Sequence, residues 1–159
     1  MQKKPTENKV YYTYKSIFGN IVIESDGNAI TCIKTEDNAK QKGKKEADIL
    51  TDKAAKQLEE YFNGKRKEFD VPIHPQGTDF QKAAWTALQK IPYGETRSYK
   101  QVAEILGNPK ASRAVGMANN RNPIWIMIPC HRVVGSDGSL TGYAGGMDMK
   151  RKLLELEKR

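Results

Sequence analysis

The chain has 159 residues, room for one domain or two small lobes, and its 38% hydrophobic content is enough for a buried core and excludes a disordered tail. Lys and Arg number 27 against 19 Asp and Glu, a net +8, and the excess is uneven: residues 1–75 carry 14 basic and 12 acidic side chains, residues 76–159 carry 13 and 7. A basic second half points to a polyanionic partner, while two cysteines (Cys32, Cys130) and two histidines (His74, His131) exclude a disulfide framework and a thiolate zinc cluster.

The N-terminal stretch from Met1 to Lys9 is polar, with no apolar segment of an export signal, and the longest apolar run, residues 124–128, is far too short to span a bilayer. A cytoplasmic, reducing location with no membrane partner is expected. Residues 10–16, 20–25 and 29–35 are rich in Val, Ile and Tyr and are separated by Phe18-Gly19 and Asp26-Gly27, which predicts an antiparallel meander. Residues 36–46 are polar and Lys-rich and read as a surface loop. Apolar positions 50, 54, 58, 61 and 62 have helical spacing, ended by Asn63-Gly64. Residues 68–73 read as a short strand, and Pro72, Pro75 and Gly77 mark a linker.

The second half is patterned differently. Thr78-Asp79-Phe80-Gln81 and Ser98-Tyr99-Lys100-Gln101 each fit a capping box that opens an apolar-faced helix. Gly107-Asn108-Pro109 stops the second of these, and residues 110–119 predict another helix, giving a helix-turn-helix pattern. Residues 124–128 look like a strand, residues 135–146 a Gly-rich loop, and residues 148–158 a final helix. The fold class is therefore α+β. A small antiparallel sheet with a helix occupies residues 1–75, and a mostly helical lobe with a helix-turn-helix occupies residues 76–159.

Cys130 is followed directly by His131 and Arg132. A thiolate is the nucleophile, and an imidazole can take the thiol proton if something orients it. Neighbouring side chains on a straight strand point to opposite faces, so the pair couples only if Pro129 turns the backbone or a water bridges them. By itself the dipeptide better describes a buried thiol beside a hydrogen-bonded histidine than a catalytic pair.

The flanking residues narrow the choice. The segment Asn122-Pro123-Ile124-Trp125-Ile126-Met127-Ile128-Pro129-Cys130-His131-Arg132-Val133-Val134 closely resembles the active-site segment of the O6-alkylguanine-DNA alkyltransferases, also called methylated-DNA–protein-cysteine methyltransferases. The resemblance runs from about Thr78 to Glu157 and includes Ile91-Pro92-Tyr93-Gly94, Ser98-Tyr99, Arg113-Ala114-Val115-Gly116 and Tyr143-Ala144-Gly145-Gly146.

The resemblance implies single-turnover repair of O6-alkylguanine in double-stranded DNA, with O4-alkylthymine as a further candidate substrate. It makes Cys130 the alkyl acceptor, His131 the residue that takes the thiol proton through a water, Glu157 the carboxylate that orients His131, and Asn122 the brace of the turn before the cysteine. On the DNA side it makes Arg113 the finger that replaces the flipped base and Tyr99 the residue that crowds the 3′ phosphate. Ala114 and Gly116 would permit close approach of the recognition helix to the minor groove. In the pocket, Tyr143 would donate to the purine, Ala144 would offer its backbone N–H to O6, and the carbonyls of Cys130 and Val133 would accept the exocyclic amine. No cofactor and no metal are implied, and a monomer is expected. Asn119 and Trp125 stand where some members have Met and Pro. Two other classes compete. A non-enzymatic binder of alkylated bases would lack the cysteine, and a Cys-His-Glu hydrolase would leave Arg113 and the helix-turn-helix without a role.

Overall fold

The computed structural model describes residues 8–41 and 43–159; most of the N-terminal stretch read for an export signal, and residue 42 of the predicted 36–46 loop, lie outside these. The chain divides into two compact units, Met1–Pro75 and Gln76–Arg159.

In the first unit, β1 (Val10–Ser16), β2 (Gly19–Ser25) and β3 (Ile30–Thr35) form the predicted meander, β1 antiparallel to β2 and β2 to β3. The helix α1 (Ile49–Phe62) starts at a reciprocal capping box between Asp48 and Thr51 and buries Ala54, Leu58 and Tyr61. Ile21, Ile23, Ile30 and Ile33 complete this core. Two expectations for this unit need correction. The polar 36–46 segment contains a short strand β4 (Lys44–Lys45), which pairs parallel to β1 at the sheet edge. Backbone pairing needs no apolar side chain, and exposed lysines on an edge discourage pairing with a further chain. Gly43 is required there, because a Cβ would collide with the Lys9 carbonyl. Residues 68–73, in turn, form no strand. Only Ile73 bridges to Ile30, since Pro72 and Pro75 have no N–H to extend a ladder.

The second unit begins with α2 (Asp79–Gln89), opened by the Thr78/Gln81 capping box, and buries Ala84, Trp85 and Leu88. Trp85 donates to the Ala118 carbonyl at 2.9 Å. After a two-residue strand β5 (Arg97–Ser98), α3 (Tyr99–Ile105) opens at the Ser98/Gln101 capping box. Gly107 makes the turn at φ +77°, and α4 (Ser112–Asn120) completes a helix-turn-helix. The final helix is α5 (Met147–Glu157).

Residues 124–128 are not a strand. Ile126 has φ +75°, and the Ile128 N–H returns to the Ile124 carbonyl at 3.0 Å. The cause is Asn122, which binds both ends of this loop: its Oδ1 accepts from Ile124 N at 2.9 Å and its Nδ2 donates to the Ile128 carbonyl at 2.9 Å. The chain leaves this ring into a 3-10 turn, Cys130–Arg132, and then β6 (Val133–Val134), which pairs parallel to β5.

Candidate active site

At three residues per turn, the 3-10 segment sends Cys130, His131 and Arg132 in three directions from adjacent positions. All three are buried. This is the backbone turn that a functional Cys-His neighbour pair requires. Cys130 faces Asn122, whose Nδ2 donates to Sγ at 3.1 Å. Burial pushes the Cys130 thiol up to about 11. The Asn122 amide, the Lys150 ammonium and the Tyr143 hydroxyl act in the opposite direction. The resting group is therefore a thiol, surrounded by groups that favour the thiolate once a base removes the proton.

His131 points to α5, where its Nε2 lies 2.7 Å from Glu157 Oε2. A carboxylate only accepts, so Nε2 carries the proton and Nδ1 presents a lone pair. Among the described residues, Nδ1 is buried and has no hydrogen-bond partner. Burial holds the imidazole below its ordinary pKa; Glu157 opposes this, and Arg132 and Lys150 add to it. No hydrogen bond joins Cys130 to His131 among the described residues, which leaves proton transfer to an intervening group such as a water.

Glu157 is buried and held by further donors. Arg132 Nε reaches Oε1 at 2.8 Å and Nη2 reaches Oε2 at 3.1 Å, a two-pronged pairing, and the Gly94 N–H reaches Oε1 at 3.3 Å. The remaining prong of Arg132 donates to the Ile91 carbonyl at 2.7 Å, and its guanidinium lies 5.7 Å from the Tyr93 ring centre. Residues 97–132 carry six basic side chains, Arg132 among them, a set suited by its charge to phosphate contacts. The burial and pairing of Arg132 remove it from that set, and Arg97 pairs with Glu95 at 3.2 Å. Lys100, Lys110, Arg113 and Arg121 are the exposed cations of this stretch.

Lys150 was not anticipated. It is fully buried, with Nζ donating to the Val133 carbonyl at 2.6 Å and the Thr141 carbonyl at 2.8 Å, and it lies 5.9 Å from the Tyr99 ring centre. Burial brings its pKa down to about 8, against the pull of Cys130. Lys150 thereby ties β6 to the Gly-rich loop. The Val133 carbonyl keeps a second lone pair for a ligand. A signal for Lys150 exists in the sequence: it falls three residues from Leu153 and seven from Glu157, so two charges lie on the buried stripe of α5.

Tyr143 packs against Trp125 with ring centres 5.8 Å apart, and Trp125 Nε1 donates to the Asn122 carbonyl at 3.0 Å. A Cβ at Gly145 would overlap Tyr143 and Met149, so glycine is needed there for the loop to close on the rings. Ala144 lies exposed on the same loop. Tyr99 is half-buried at the start of α3 and exchanges hydrogen bonds with Thr141, through its own hydroxyl at 3.3 Å and from Thr141 Oγ1 at 3.1 Å. With Lys110, Ser112, Arg113 and Gly116 it lines a shallow groove of about 720 Å³. Arg113 is exposed on this groove and Ala114 is half-buried on the same helix. Asn122, Cys130, His131, Glu157, Val133 and Tyr143 thus converge, whereas Arg113, Ala114 and Gly116 belong to the outer face of α4. Asn119 is buried on the inner face of α4, and its Oδ1 has no partner among the described residues. Among the described residues no group of three or more His, Cys, Asp or Glu side chains could hold a metal ion.

Residues 9–75 match the ribonuclease-like domain of 6-O-methylguanine DNA methyltransferase, and residues 79–159 match the DNA binding domain of the same family. The methylated-DNA–protein-cysteine methyltransferase of Methanosarcina acetivorans is 48% identical over 156 residues, covering 92% of this chain and 97% of that protein. Its counterpart in Methanosarcina barkeri is 59% identical over 126 residues, or 74% and 80% of the two chains. Among solved structures, the O6-methylguanine methyltransferase of Mycobacterium tuberculosis superposes with a TM-score of 0.85 at 44% identity, covering 94% of this chain and 93% of that one. Mycobacterium tuberculosis OGT in complex with DNA gives 0.89 at 46% identity, covering 94% and 92%.

Proposed function

Because the chain belongs to the 6-O-methylguanine DNA methyltransferase family, we propose that it repairs double-stranded DNA by moving the alkyl group of O6-alkylguanine to Cys130, once per molecule. The observation that carries this reading is the buried line Asn122–Cys130 and His131–Glu157, with a lone-pair nitrogen of His131 left without a partner among the described residues.

The thiol proton passes through a water to His131 Nδ1, and Glu157 stabilises the imidazolium. The thiolate attacks the alkyl carbon. An S–C bond forms, the C–O6 bond breaks, and the electron pair leaves with the base; the guanine anion takes up one proton at N1 while the imidazolium returns the thiol proton to water, so the net proton count is unchanged. Tyr143 and the Ala144 backbone N–H face the developing charge. The carbonyls of Cys130 and Val133 accept the exocyclic amine. The product is a thioether on saturated carbon with no acyl or phosphoryl centre for water to attack, so the protein does not turn over. No cofactor or metal takes part.

The target base must leave the stack, at a cost of a few kcal/mol. Arg113 fills the gap, Tyr99 crowds the 3′ phosphate, and Ala114 and Gly116 let α4 approach the minor groove. We assign DNA binding and chemistry to residues 76–159, a monomeric form, and a cytoplasmic location. No described helix is long and apolar enough to cross a membrane.

The test is the intact mass of the protein after mixing with a duplex containing O6-methylguanine. One methyl per chain, mapped to Cys130 and not Cys32, is expected. More than one guanine restored per protein molecule would refute the mechanism. Cys32 is the internal control, since burial pushes its thiol up to about 12.

A further inference from the structure

Arg132 combines burial, charge and geometry in a way that a structural salt bridge alone does not require. It is 7% exposed and adjacent in sequence to the histidine whose partner it shares. Its two-pronged pairing occupies both oxygens of Glu157, one of which also receives His131 Nε2. A buried carboxylate facing an imidazole has three ways to settle its protons. It can stay charged beside a neutral imidazole, stay charged beside an imidazolium, or take a proton itself. Only the first leaves Nδ1 with a lone pair. In the second, both ring nitrogens carry protons. In the third, the carboxylic acid donates to Nε2 and the ring proton moves to Nδ1.

We propose that Arg132 is a positioning residue for alkyl transfer: by holding Glu157 as a carboxylate and balancing its charge, it keeps His131 neutral with its proton on Nε2 and its base at Nδ1. Every charge acting on the imidazole is in place for this. Glu157 and Lys150 face it from α5, Arg132 lies on its own turn, Cys130 is the titratable neighbour, and Tyr93 stands beyond Arg132 in the loop after α2. Glu157 alone pulls toward imidazolium, and the two cations with burial pull the other way. Removing Arg132 leaves Glu157 as the dominant partner and draws a second proton onto the imidazole, which silences the base at Nδ1. The role rests on the alkyl-transfer reading, since it serves the proton transfer from Cys130.

The experiment measures the pH dependence of the single-turnover methyl-transfer rate on an O6-methylguanine duplex for wild type, Arg132→Met and Arg132→Lys. In the methionine variant the acid limb of the profile should move up by about one to two pH units, the usual effect of one charge at this range. Lysine, which keeps the charge but not the fork, should return the limb to within about half a unit of wild type. A methionine profile that is merely lower at every pH, or a lysine profile displaced as far as that of methionine, overturns the proposal. A second measurement needs no variant at position 132. In a His74→Gln background, nitrogen NMR of the one remaining imidazole should report the neutral Nε2–H form from about pH 6 to pH 8. An imidazolium, or the Nδ1–H form, in that range overturns it. If wild type transfers no methyl at all, the function fails, while the NMR result still decides the tautomer.

Discussion

Asn122→Ala separates bracing from chemistry. The side chain makes three buried hydrogen bonds: from Ile124 N at 2.9 Å, to the Ile128 carbonyl at 2.9 Å and to Cys130 Sγ at 3.1 Å. Truncation orphans two buried backbone groups, at roughly 1–3 kcal/mol each, so the unfolding free energy should drop by about 2–6 kcal/mol. A water entering the vacated space would hold the loss toward the lower end. The thiolate loses a charge-assisted hydrogen bond of about 1.5–3 kcal/mol, which is roughly a 10- to 100-fold slower transfer at neutral pH. Asn122→Asp distinguishes the two effects. It keeps the acceptor for Ile124 but places a carboxyl oxygen against sulfur, and two unit charges 3.1 Å apart repel by about 5 kcal/mol at an effective dielectric constant of 20. The aspartate variant should therefore transfer more slowly than the alanine variant, and, because its carboxylate cannot donate to the Ile128 carbonyl, it should gain no stability over alanine. The assays are single-turnover transfer from a methylated duplex and urea denaturation with the same preparations. An alanine variant that is destabilised yet transfers within twofold of wild type would refute the claim that Asn122 favours the thiolate.

Arg113→Ala should slow transfer on duplex DNA by about tenfold or more and on free O6-methylguanine by less than twofold, because only the duplex requires a base to be replaced in the stack. Equal losses on the two substrates would reject the finger role. With four exposed cations near α3 and α4, log affinity for duplex should fall against log salt with a slope of about −3 to −4, and a flat line would remove DNA backbone contact from this face. Acid should destabilise the protein through His131. Its folded pKa lies below the ordinary 6.5, so as pH falls below about 6.5 the unfolded chain binds the proton first. Stability should then drop by up to about 1.4 kcal/mol per pH unit, and His131→Gln should flatten that part of the curve. An unchanged curve in His131→Gln would place the acid sensitivity elsewhere.

Local signals were legible because their causes are local. The capping boxes at Thr78 and Ser98 span four residues each, and both appear with the expected reciprocal bonds. Apolar spacing likewise located α1 and α2. The run 124–128 misled because composition cannot see that one side chain, Asn122, grips both ends and forces a turn. Glu157 was legible only through family resemblance, since a glutamate near a helix end carries no mark of its partners. Those partners are 25 to 63 residues away: Arg132, His131 and the Gly94 N–H. Lys150 was readable in principle from its place on an apolar stripe, but the pattern does not name the Val133 and Thr141 carbonyls it binds.

The ring closed by Asn122 bears on solubility as well as on chemistry. Ile124-Trp125-Ile126-Met127-Ile128 is five consecutive apolar residues of high β-propensity, and the folded molecule buries all five. Extended and exposed, such a segment would pair readily with copies of itself. The fold holds it in the opposite state, bent at Ile126 into a left-handed backbone conformation that a β-branched residue rarely takes, with its terminal N–H and carbonyl occupied by one amide. Pro123 and Pro129 bracket the run, and Arg121 and Arg132 stand just outside them, a placement that disfavours fibril growth even when the chain is open. The segment that presents the nucleophile is thus also the one whose release would do most harm to a concentrated solution of the protein.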